Sequence, residues 1–297
     1  MPAPKPPLSI LDQIALLVQR GLEMSDADTI PLARLLTDNS YARLARYWRY
    51  AQIDPTHGNK TFIPGTTVSS LADAYMFDSG LRHLMSDGLE VFEITLRSRL
   101  GYFMAEAGAA YLYRDAATYR TTMVGTPARD ARNDLLDDIE RDLGRSREDF
   151  ITTAIRRGNT PPLWDAMEVL SLGSVSKMYS LLADMDVCQQ IAKSFGYPNV
   201  RFALSVFRSL TVVRNICAHH ARVWNRTSIQ VAPAVLNKLK TDPDQGIYQS
   251  TPWACLVVLA DIVDTIRRNN DYSQRLLAFI DAHPEYADGL KHPKNAR

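Results

Sequence analysis

Residues 70–107, SLADAYMFDSGLRHLMSDGLEVFEITLRSRLGYFMAEA, decide how the chain folds. Leu71, Ala74, Phe77, Leu81, Leu84, Leu89, Phe92, Leu96, Leu100 and Phe103 recur close to the helical repeat of 3.6 residues. The spacing predicts one long helix with an apolar stripe, and Gly80 and Gly88 mark places where it bends or breaks. Upstream, residues 54–66 (DPTHGNKTFIPGT) hold two Pro and two Gly and read as a loop. Before that loop, helices are expected from Ser9, an N-cap residue, to Gly21, and from Asp26 or Asp28 through Leu36. Downstream, helical patterns cover about 128–144, 146–157, 163–184, 186–196, 199–222 and 251–281. Gly125–Pro127, Gly158–Pro162 and Gly196–Pro198 separate several of them. Period-two alternation is scarce, so the expected fold class is all-α. The layout is a flexible lead-in over 1–7, an N-terminal helical region over 8–53, a helical domain over 67–282 and a flexible tail over 283–297.

With 297 residues, 46% apolar and 23% charged, the chain suits one large globular domain or two modest ones. A net charge of +1 excludes a wholly basic nucleic-acid coat and leaves room for a local basic groove. There are 26 Arg against 8 Lys, a bias that fits phosphate recognition and equally the codon usage of a GC-rich genome. Residues 40–50 (SYARLARYWRY) interleave Arg43, Arg46 and Arg49 with four aromatics. They read either as an RNA-contacting face or as a packed helix with solvated arginines. Cys188, Cys217 and Cys255 are far apart and odd in number, which suits reduced thiols and no zinc site. The N-terminus lacks a signal-peptide pattern, and the apolar run 253–263 falls short of the ~20 residues of a membrane span. The expected location is therefore the cytoplasm, with no membrane partner.

Polar residues then stand out on the helical pattern over 199–226. Phe202, Val206, Phe207, Leu210, Val213, Ile216, Cys217, Val223 and Trp224 give it a broad apolar surface. Thr211, Asn215, His219, Arg222 and Arg226 follow at steps of four, four, three and four, which on a continuous helix makes one polar stripe edged by Arg214. Such a stripe faces a partner, a cleft or water. Arginine supplies a fixed cation, asparagine an amide, and histidine a side chain that titrates near neutrality. That set suits cleavage of RNA without a metal: a 2′-hydroxyl attacks phosphorus, a histidine moves the proton and an arginine stabilises the added charge. A lone helical histidine also reads as a satisfied structural residue. His219-His220 is no metal pair, because adjacent helical side chains diverge by about 100°. His220 reads as packing or hydrogen-bonded support.

Arg214-Asn-Ile-Cys-Ala-His219 matches the R-x4-H motif of the HEPN superfamily, and RNICAHHARVWNR (214–226) resembles the signature of the Abi-like family of abortive-infection proteins, of AbiD/AbiF type. SILDQIALLVQRGLEMSD (9–26) is similar to that family's opening helix. Residues 61–100 are similar to its F-x-x-G…Y-x-F-D-x-x-L-R…E-x-x-x-R block. The resemblance implies a HEPN-type helical bundle with an N-terminal helical extension, and a ribonuclease toxin of phage defence or of a toxin–antitoxin pair. It also implies a homodimer with a composite site, an RNA substrate, no cofactor and no role for DNA. A structured non-coding RNA acting as antitoxin is a further implied partner. Carried over, Arg214 stabilises the scissile phosphate, His219 is general acid or base, and Asn215 orients phosphate or imidazole. Glu93 and Arg97 match E-x-x-x-R and read as a cleft-lining or a structural pair. Arg222, Trp224, Asn225 and Arg226 are expected to shape the dimer interface or hold RNA. A non-catalytic RNA-binding protein that keeps the same face is the alternative reading.

Overall fold

The computed structural model describes residues 7–227, 229, 232–239 and 250–294. Of the expected lead-in only Pro7 lies among them. Helix α1 (Ile10–Gln19) starts at Ser9, whose hydroxyl accepts the Asp12 N–H while Asp12 accepts the Ser9 N–H. Two short helices come next, α2 (Thr29–Asn39) and α3 (Tyr41–Trp48). The segment expected as a loop is partly a hairpin, with strands β1 (Gln52–Asp54) and β2 (Asn59–Phe62) antiparallel. Pro55 to Gly58 turn the chain between them, with Gly58 at φ +95°, a geometry that favours glycine. Main-chain bonds tie this hairpin to the end of α1: the Phe62 N–H donates to the Arg20 carbonyl at 2.7 Å.

Beyond the hairpin runs α4 (Val68–Met104), 37 residues opened by a Thr67–Ser70 capping box. Phe77, Leu81, Leu89, Phe92, Leu96 and Leu100 are buried along it, as the periodicity predicts, while Met85 is buried in place of the expected Leu84, which is only half-buried. Neither Gly80 nor Gly88 breaks the helix. The hairpin β3 (Met123–Val124) and β4 (Arg129–Asp130) leads into α5 (Ala131–Arg145) and α6 (Asp149–Arg156). The expected helix over 163–184 is two, α7 (Leu163–Val169) and α8 (Leu172–Leu181), because Ser171 leaves the helical conformation to cap α8. After α9 (Met185–Ser194) comes α10 (Val200–Ala218). The expected helix over 251–281 is also two, α11 (Pro252–Arg267) and α12 (Asp271–Asp281), parted where Arg268 turns left-handed at φ +58°.

A further correction concerns the C-terminus. Residues 284–291, expected within a flexible tail, form helix α13 (Pro284–Lys291) with Leu290 fully buried. Its sequence is polar, but Tyr286, Ala287 and Leu290 pack against the core. Helix α4 is the central post, and α3, α7, α8, α9, α10, α11 and α12 pack against it. The two glycines explain part of that packing. A Cβ at Gly88 would lie 2.4 Å from the Tyr272 hydroxyl oxygen, so glycine is what lets α12 approach. Leu17, Leu44 and Trp48 belong to the same core as Phe77 and Phe207, so the N-terminal helices pack onto the rest without a break. The class is all-α.

Candidate functional site

The C-terminal end of α10 carries the motif. Its apolar side is anchored by Val213, Ile216 and Cys217, all buried, which turns Asn215, Ala218 and His219 outward. Arg214, on the border of these faces, donates Nε–H to Glu93 Oε2 at 3.0 Å. Glu93 Oε1 accepts from Arg97 Nη2 at 2.5 Å. Arg97 in turn donates Nη1–H to the carbonyls of Met167 (2.6 Å) and Leu170, which lie at the open C-terminal end of α7. One carboxylate is thus shared by two guanidinium groups, and the outer one is fixed through a single edge. Glu93 is 15% exposed and Arg214 39% exposed. The Arg214 Nη1 stands 3.5 Å from Asn215 Oδ1, a weak contact at most. Its terminal amino groups therefore remain able to bind an anion. The groove in front of them is lined as well by Ser86, Leu89, Glu90, Ile94, Glu168 and Ala218, two of them further carboxylates.

His219 ends α10 as its C-cap, with its N–H bonded to the Asn215 carbonyl at 3.0 Å. Its imidazole is exposed, and no hydrogen bond holds it among the described residues. Cys217, inside the motif, is no nucleophile: burial pushes its thiol up to about 12, and the Asp78 charge adds to the shift.

The polar stripe expected on a continuous helix does not form. The helix stops at Ala218 and His220 takes φ +51°, so Arg222 and Arg226 lie on a turn and not one and two helical turns further on. Thr211 is buried and spends its hydroxyl on the Phe207 carbonyl. Local bonds close the helix, from the His220 N–H to the Cys217 carbonyl and from the Ala221 N–H to the Ile216 carbonyl, and α4 holds the turn that follows. Asp78, 0% exposed, accepts the backbone N–H of Val223 (3.1 Å) and of Trp224 (2.7 Å), pulling residues 221–224 inward. It also accepts the Tyr47 hydroxyl at 2.5 Å and pairs with buried Arg82. Burial raises the Asp78 carboxyl, while Arg82, Tyr47 and the two amides oppose that rise.

The remaining expected residues divide by environment. Trp224 is buried, donates its indole N–H to the Tyr286 carbonyl at 3.0 Å, and lies so close to Gly289 that a Cβ there would be 2.3 Å from Nε1. Asn225 adopts φ +54°, donates its N–H to the Gly289 carbonyl and accepts the Lys294 N–H. Both anchor α13. His220 is exposed, and its carbonyl accepts from Arg43 at 2.7 Å. Within α3 the aromatics Tyr47 and Trp48 are buried while Arg46 is exposed, so the helix packs with solvated arginine. Asp78 and Arg82 are the Asp and Arg of the F-D-x-x-L-R block matched in the sequence, where no role was expected of either. A second signal is that they form a charged pair four residues apart on the apolar side of α4, next to Phe77 and Leu81.

An all-α protein with a polar helix end, braced by a carboxylate of its central helix, is the class these features define. The chain belongs to the Abi-like protein family: the family model matches residues 34–225, from within α2 to the end of the turn after α10. That family is linked to abortive-infection defence. No curated protein and no solved structure matches the chain. Among the described residues, no helix is long and apolar enough to cross a membrane, and no group of three His, Cys, Asp or Glu side chains is placed to hold a metal ion.

Proposed function

We propose that the protein is a metal-independent endoribonuclease toxin of HEPN type, acting in abortive infection or in a toxin–antitoxin pair. The observation that carries this reading is Arg214, braced by Glu93 at the open end of α10 beside Asn215 and the exposed His219. The Arg214 amino groups neutralise the phosphorane charge as the 2′-hydroxyl attacks. His219 moves a proton, and Asn215 orients phosphate or imidazole. Cleavage by this route needs a base for the 2′-hydroxyl and an acid for the departing 5′-oxygen, and each chain carries one motif histidine. A homodimer that joins two motifs across its two-fold axis supplies both. A structured non-coding RNA is the proposed antitoxin.

Purified protein is expected to be a dimer by light scattering and to cut RNA in EDTA, leaving 2′,3′-cyclic phosphate ends. Arg214→Ala and His219→Ala are each expected to lower the rate by about 10²-fold or more. A His219→Ala protein that cuts like wild type overturns the enzyme assignment. Among the described residues nothing orients the His219 imidazole, which favours a second reading, an RNA-binding protein without catalysis. That reading predicts RNA binding, no cleavage, and no His219-dependent loss of colonies on expression.

A further inference from the structure

A second cluster of guanidinium groups lies where α3 meets the turn after the motif. Two contacts set the geometry. Arg43 reaches the His220 carbonyl at 2.7 Å, and the Tyr50 hydroxyl donates to the Asn225 carbonyl at 3.1 Å. Arg46 stands one turn after Arg43 on α3, exposed, and close enough for its charge to act on Arg226 of the turn. From the turn itself, the Arg222 guanidinium lies 4.9 Å from the Tyr50 ring centre, a cation–π contact. Arg226 folds back and donates Nη1–H to the Arg222 carbonyl at 3.1 Å.

Among the described residues these cations lack anions: Arg46, Arg222 and Arg226 form no salt bridge there. The neighbouring carboxylate, Asp78, is committed to Arg82, Tyr47 and two backbone amides. Two donor nitrogens, Arg222 Nη1 and Arg226 Nε, are buried with no hydrogen-bond partner among the described residues. Buried donors left without a partner are costly, and more so when charged. Burial lowers the Arg226 pKa, and the charges of Arg222 and Arg46 add to that while Asp78 opposes it. The fold therefore holds like charges together at a cost that a bound anion relieves. Planar forks of this kind match phosphate oxygens two at a time.

We infer that Arg46, Arg222 and Arg226 form a second phosphate site, which takes a backbone phosphate of the RNA flanking the scissile one. The inference rests on the ribonuclease reading for the identity of the strand, and on the cluster alone for the phosphate. Arg222 and Arg226 follow His219 within seven residues, and Arg43 of α3 bonds the carbonyl of His220, the residue next to it.

The test uses a labelled single-stranded RNA with 2′-O-methyl riboses, which binds but has no attacking hydroxyl. Full-length wild type, Arg46→Ala, Arg46→Lys and Arg226→Gln are titrated over a range of salt. Each lost phosphate contact is expected to reduce the salt slope by about 0.7 and to weaken binding by roughly tenfold at low salt. Arg46→Lys is expected to recover part of the loss. Arg46 is exposed, so Arg46→Ala is expected to melt like wild type, which separates lost binding from lost folding. Wild-type affinity and slope in both Arg46→Ala and Arg226→Gln overturn the site. So does a change confined to dimer mass, which assigns the cluster to contact with a second copy. A wild-type protein that binds the probe through these arginines yet cuts no RNA refutes the ribonuclease reading and supports the phosphate site.

Discussion

Glu93 faces two arginines and treats them differently. Arg97 is 14% exposed and also tied to the end of α7, so its bonds are internal. Arg214 is held by one edge and presents the rest of its fork outward. An arginine gains as a phosphate ligand when its orientation is fixed before binding, because that ordering is not lost again in the transition state. Glu93→Gln keeps the shape and removes the charge that aligns Arg214. Under the ribonuclease proposal it is expected to lower the cleavage rate by roughly 10- to 100-fold, with kcat falling more than KM rises. The check is steady-state kinetics on an RNA oligonucleotide, and a kcat equal to wild type refutes the positioning role. Asp78 shows the same logic inside the fold. It meets four donors on α3, α4 and the turn, none of them near it in sequence apart from Arg82.

Among the elements, α5 and α8 are joined by a similar device. Asp142 of α5, nearly fully buried, accepts the Ser171 N–H at 2.9 Å and the Ser174 hydroxyl at 2.7 Å, at the N-terminus of α8. Arg145 adds a charged partner at 2.5 Å. Burial works to raise this carboxyl, but the bonds from Ser171, Ser174 and Arg145 outweigh it and hold its pKa low. A carboxyl whose pKa is lowered on folding stabilises above its unfolded value of about 3.9, and that stability is lost as pH falls through the folded value. Asp142→Asn is accordingly expected to cost about 1–2 kcal/mol at pH 7. The difference from wild type should shrink below about pH 4. Urea melts at the two pH values decide it, since a cost that persists unchanged in acid rules out the ionised carboxylate as its source.

At the scale of the molecule, the family match ends at residue 225, yet the turn at that point is clamped by the C-terminal helix α13. Trp224 reaches the Tyr286 carbonyl, Asn225 the Gly289 carbonyl, and Leu290 is fully buried. A chain ended after His283 loses the burial of Tyr286 and Leu290, roughly 3–5 kcal/mol together, and its Tm is expected to fall by roughly 10 °C. Melting at the wild-type temperature would show that α13 is dispensable.

What the sequence determined was local. Apolar residues at helical spacing specify α4 and α10, serine and threonine before such runs specify where helices begin, and Arg214 to His219 lie on one helix end whatever packs around them. The capping Ser171 and the left-handed Arg268 were written in residues too, but each interrupts an apolar pattern that reads through it. Tertiary structure decided the rest. The turn after α10 is held by Asp78, 145 residues away from Val223, and nothing in residues 219–226 announces that partner. The partner of Arg214 and the contacts of Arg43 and Tyr50 with the turn after α10 were decided the same way. Hydrogen bonds and charges act over a few ångströms, so the residue that completes a site is whichever one folding brings there. Helical periodicity acts along the chain and is legible in it.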